Sequence, residues 1–117
     1  VRTQSLILAV AMLGLAGCAN DPAPNEQMRI SEQALEQAKA VGATDQVEAL
    51  KLAEDKLARA KSDMLTEDYR NARMRAEQAE LDARLAEARV LNQKSEEQLG
   101  VLQSRVKRLR KQLEVQP

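Results

Sequence analysis

The stretch "YRNARMRAEQAELDARLAEARV", residues 69–90, decides the fold. Tyr69, Ala72, Ala76, Ala79, Ala83, Ala86 and Val90 recur at alternating steps of three and four, the period of one helix face. A half-buried strand would alternate every second residue instead. A stripe of small side chains lets neighbouring helices approach near the short end of the usual 8–10 Å spacing. The stripe is read as core, and Met74, Leu81, Leu85 and Ala88 beside it are expected to widen the buried face.

Composition agrees with that reading. The 117 residues are 44% hydrophobic, yet they include one tyrosine and neither phenylalanine nor tryptophan, while 31% are charged. Alanine, leucine, glutamate, lysine and arginine in such excess mark long helices or coiled coil. Alanine buries little area, so a bulky globular core is not expected.

Upstream of the stripe lie two shorter helical patterns. Asn25 is placed to cap a first helix running to about Val41 and stopped by Gly42, with Ile30, Ala34, Ala38 and Val41 facing inward. Thr44 or Asp45 is placed to cap a second, Asp45 and Glu48 having capping-box spacing. Its inward side carries Val47, Leu50, Ala53, Leu57, Ala60 and Met64, and Asp55 stands one ion-pair step before Arg59. Between the second helix and the alanine stripe there is neither glycine nor proline, so a continuous helix is the alternative to a turn. The slip in apolar phase favours a turn near Leu65 to Asp68, with Thr66 as cap.

Downstream, the third helix is expected to continue to about Glu114, roughly 70 Å at 1.5 Å per residue, beyond the cover of the first two. Leu99, Leu102, Val106, Leu109 and Leu113 step three, four, three, four, a short heptad seam. Leu81, Leu85 and Ala88 share its register, with Asn92 and Ser95 between. Two polar positions divide the seam into a zone packing internally and a zone packing externally. The fold class is therefore all-α: an antiparallel helical hairpin or three-helix arrangement, with a long C-terminal helix ending in a short coiled-coil segment.

The formal net charge is zero, which speaks against nucleic acid as a partner. It also conceals a dipole. Residues 99–114 hold five basic side chains (Arg105, Lys107, Arg108, Arg110 and Lys111) against Glu114 alone, net +4; residues 19–98 sum to −5. The cluster is either a solvated helix end suited to the C-terminal dipole or a contact for an anionic surface such as phospholipid or peptidoglycan. In a parallel homodimer Arg105 and Arg110 would face each other and repel.

At the other end, "LILAVAMLGLAGC" (6–18) follows Arg2 and finishes in the only cysteine. A basic start, a short apolar run and small residues describe a secretory signal, too short for a spanning helix. Leu15, Ala16, Gly17 and Cys18 resemble the lipobox of bacterial lipoproteins. That resemblance implies diacylglycerol on Cys18, cleavage before it and further acylation of the new amino terminus. Two or three acyl chains anchor stably, each buried methylene contributing about 0.8 kcal/mol. Ala19 rather than aspartate after the cysteine implies the periplasmic leaflet of the outer membrane over the inner membrane. "ANDPAP" (19–24) then reads as a tether. The resulting organisation is signal peptide 1–17, lipidated cysteine and tether 18–24, alanine-rich helical domain 25–91 and basic coiled-coil arm 92–117.

Two segments, "LKLAEDKLARAK" (50–61) and "EDYRNARMRAEQAELDARLAEA" (67–88), carry a wider resemblance covering residues 31–91. They resemble a family of small alanine-rich bacterial lipoproteins defined as a domain of unknown function, with a helical hairpin of tetratricopeptide type. Some relatives are joined to a peptidoglycan-binding domain like that of outer membrane protein A; here the basic helix stands in its place. The chain is also similar to the major outer-membrane lipoprotein in joining a lipid anchor to a heptad helix. It ends in Pro117 rather than the lysine through which that protein links to peptidoglycan.

No histidine, glycine-rich phosphate loop or nucleophile motif points to an enzyme. Glu67 with Asp68 and Glu96 with Glu97 read as solubilising charge. Neither a small-molecule substrate nor a resident metal or other cofactor is expected. The expected function is that of a lipid-anchored periplasmic adaptor. It docks a protein partner, or associates with itself, through the C-terminal arm; the alternative is a module whose basic tip contacts peptidoglycan or anionic lipid.

Overall fold

The computed structural model describes residues 21–115 and folds them into three helices: α1 (Asn25–Ala40), α2 (Glu48–Leu65) and α3 (Tyr69–Glu114). The protein is all-α among these residues. Ion pairs mark the helix directions. Lys39 with Glu54 (2.9 Å) and Lys61 with Glu32 (2.7 Å) hold α1 antiparallel to α2. Lys56 with Asp82 (2.6 Å) and Arg75 with Asp63 (3.0 Å) hold α2 antiparallel to α3. α1 therefore runs parallel to α3, and the Gln27 amide joins them by donating to Glu80 at 2.8 Å. Such surface pairs add little stability and serve mainly to fix register.

The alanine stripe is the core. Ala72, Ala76, Ala83 and Ala86 are all 0% exposed, and Ala79 and Val90 are buried with them. The largest fully buried side chain of the core is Leu50, so close backbone approach replaces bulk. α2 presents Leu50, Ala53, Leu57 and Ala60 as expected, with Val47 and Met64 partly buried. It also buries Ala49, which lies outside the periodic inward positions.

On α1 the inward face is rotated from expectation. Met28, Ser31, Ala34, Leu35 and Ala38 are buried, while Ile30 and Val41 are only half-buried. Ser31 is tolerated because its hydroxyl lies 2.7 Å from the carbonyls of Ala76 and Gln27. One proton serves both oxygens, and it ties α1 to the alanine stripe.

The helix ends also correct the sequence reading. Pro24, not Asn25, occupies the N-cap of α1, its carbonyl accepting from Met28 at 3.0 Å. Neither Thr44 nor Asp45 caps α2: the N-cap is Val47 without any side-chain bond, and the Asp45–Glu48 box does not form. The Thr44 carbonyl instead accepts from the Val47 amide at 2.8 Å, closing a turn that uses the loop differently. The break after α2 is a true turn, but Thr66 ends α2 rather than starting α3, and Asp68 is the cap, accepting from the Asn71 amide at 3.3 Å.

Both inter-helix turns use one device. After α1, the Ala43 amide reaches back to the Ala38 carbonyl and Gly42 to Lys39, with Gly42 at φ +107°. After α2, Asp68 reaches back to Asp63 and Glu67 to Met64, with Glu67 at φ +60°. These are paired Schellman closures, one built on glycine and one on glutamate. The Asp55–Arg59 pair forms at 3.1 Å on the exposed side of α2.

Candidate interaction surface

α3 outruns its partners. Val90 is its last buried residue, and from residue 91 through 115 every side chain is exposed. The helix runs on without a break for about 36 Å past Val90, and beyond Glu97, which still lines a hollow with the loop after α1, it stands clear of the bundle. Where it leaves, the Lys94 ammonium donates to the Val41 carbonyl at the C-terminal end of α1. A cation at that end satisfies an orphan carbonyl and complements the helix dipole. Lys94 therefore clamps the base of the arm, a role the sequence offered no signal for.

Leu99, Leu102, Val106, Leu109 and Leu113 lie along the arm between 48% and 72% exposed. The hollows beside them, such as the one lined by Leu99, Leu102, Gln103, Val106, Lys107 and Arg110, are open grooves on one helix with no opposing wall. A groove of that kind seats a second helix rather than a small molecule. Arg105, Lys107, Arg108, Arg110 and Lys111 are exposed around the same segment, and none pairs with a carboxylate among the described residues.

The seam does not divide into an inner and an outer zone. Met74, Leu81 and Leu85 are exposed, Leu81 to 66%, and Ala88 is exposed with them. They do not widen the core. The reason is angular: at 100° per residue, the heptad register points about 160° away from the alanine stripe. α1 and α2 both lie against the stripe, so the opposite side of α3 is left to solvent along its whole length. The register of Leu81 and Leu85 was visible in the sequence; its direction relative to the core was not.

Glu80 sits where three charged or polar groups meet. The Gln27 amide and then the Arg84 guanidinium hold its carboxyl below the usual carboxylate range. Asp63 is half-buried, and Arg75 lies beside its Oδ2 out of line for a hydrogen bond, so the oxygen is neutralised by charge rather than direction. Both groups join helices. No cluster of three metal-ligating side chains occurs among the described residues, and no helix there is long and apolar enough to cross a membrane. Leu15, Ala16, Gly17 and Cys18 lie outside the described residues.

Residues 26–102 match the family described as "Domain of unknown function (DUF4398)". The chain belongs to the DUF4398 family. A crystal structure of a DUF4398 family protein from Pseudomonas aeruginosa is 68% identical, with a TM-score of 0.76 over 79% of this chain and 96% of that one. No curated protein matches the chain. The DUF4398 match takes in the hairpin and the first turns of the arm, reaching Leu102 in the seam.

Proposed function

We propose that this DUF4398 protein is a non-enzymatic, lipid-anchored adaptor of the bacterial envelope, tethered through Cys18 to the periplasmic leaflet of the outer membrane. It docks a protein partner through the arm. The observation that carries the reading is an exposed leucine seam on a helix that has left its own bundle. A long apolar stripe is seldom left to water without a partner.

The position of the tether supports the same reading. The tether joins α1 at Pro24, beside Arg73 and Glu77 at the start of α3, whereas the seam lies toward the far end. The arm therefore projects away from the point where an anchor would hold. The five cations that pair with no carboxylate among the described residues favour one second reading, contact of the tip with peptidoglycan or anionic lipid.

Substituting Leu102→Ser together with Leu109→Ser tests the proposal in the full chain. The expected result is loss of the partner complex in native sizing with hairpin melting unchanged. A complex that persists in the double variant but dissolves as salt rises would instead select the basic tip, because screening weakens exposed charge contacts and spares apolar ones. Cys18→Ser is expected to release the protein from the membrane fraction; retention there would remove the anchor from the proposal.

A further inference from the structure

We infer that the outer face of α3 closes on a second copy of this chain, running antiparallel, with the twofold axis between Gln93 and Lys94. The inference rests on the reading of the seam as a contact surface and names its occupant.

The face is long enough for a coiled coil. From Met74 to Leu113 it covers between five and six heptads, about 59 Å, above the three or four that sustain such a pairing. Leucine, methionine and valine on this face are all at least 44% exposed, so neither α1 nor α2 obstructs it.

Polar residues choose the register. Asn92 and Ser95 are the two adjacent polar core positions, and a polar position in a heptad core specifies alignment at a cost in stability. With the axis between 93 and 94, Asn92 of one copy meets Ser95 of the other in a single layer, twice. The same alignment sets Leu81 against Val106, Leu85 against Leu102 and Met74 against Leu113; only Gln78 against Leu109 is mixed. Sliding by one heptad either way puts Asn92 against Leu102 or Ala88, and Ser95 against Leu99 or Leu85, leaving polar groups opposite apolar ones.

Charge chooses the direction. In a parallel pair the flanking positions five residues apart face each other. There Arg70 would meet Arg75, Glu77 would meet Asp82, Arg84 would meet Arg89 and Arg105 would meet Arg110. Every charged flank pair would be like-signed, and each occurs twice. Running antiparallel, the arm with net +4 lies over residues 73–88 of its mate, which carry net −1, and across the flanks Arg89 meets Glu96 while Arg75 meets Arg110 and Arg84 meets Arg105. The antiparallel pairing thus has two kinds of like-signed flank contact against four in the parallel one, and gains an opposite-signed pair, so repulsion disfavours the parallel alternative.

The test places photoreactive p-benzoylphenylalanine at Val106, and separately at Gln103, in the full-length chain in cells. Crosslinked peptides are then mapped by mass spectrometry. The expected adduct joins position 106 to residues 76–84 of a second copy, and position 103 to the neighbourhood of Asp82. Val106 and Leu81 lie about 37 Å apart on one rigid helix, so no chain can make that link to itself. An adduct between the two regions around residue 106 would overturn the antiparallel arrangement. An adduct to a different protein would overturn the second copy while sustaining the adaptor reading. Absence of any protein adduct at both positions would overturn both.

Discussion

Glu67 is the one non-glycine residue among those described with a positive φ, and it stands where Gly42 stands in the sister turn. A side chain in the left-handed region costs roughly 1–2 kcal/mol, offset in part because glycine loses more freedom on folding. Glu67→Gly is therefore expected to stabilise the chain by up to about 1 kcal/mol, seen as a higher urea midpoint with an unchanged slope. A lower midpoint would mean that the glutamate side chain contributes more than its backbone costs. Ser31 is the complementary case. Its lone hydroxyl is buried only because two carbonyls lie within reach, and hydropathy patterning gives no credit for that.

α3 carries two messages on opposite sides, and they differ in legibility. The alanine stripe could be read residue by residue, because a 3.6-residue period with small side chains has one economical use: tight helix packing. The same period does not say on which side of α3 its two partners lie, so it places Leu81 and Leu85 inward, whereas they face out. Helix existence and length were likewise visible, whereas caps were not: an Asx or Thr side chain in a loop has several backbone amides to choose from. If the stripe is the core, Ala83→Leu inserts three carbons where nothing yields, and overpacking costs about 1–3 kcal/mol. Thermal unfolding followed by circular dichroism is expected to shift down by many degrees. An unshifted transition would show that α1 and α2 pack more loosely than their buried alanines imply.

At the scale of the whole molecule, hairpin and arm share one helix but not one core. Ending the chain after Gln98 removes no residue buried in the bundle and keeps the Lys94 clamp. Its melting temperature is expected to match that of the full chain whenever both are dilute enough to be uncomplexed. A large drop would show that the exposed turns support the bundle. The candidate site was legible as a seam and a charge cluster in linear order. Its extent along all of α3 emerged only once the bundle had claimed the other side.

The unbroken passage of α3 from bundle to arm has a mechanical consequence. With neither glycine nor proline between Val90 and Leu99, the junction owns no hinge, and Gly100 beyond it stays helical. A load applied at Leu113 acts on a stiff beam, and Lys94, bridging to the end of α1, stands as the fulcrum. Any force borne by the arm would therefore reach the alanine contacts of the bundle as torque instead of being absorbed at a flexible joint.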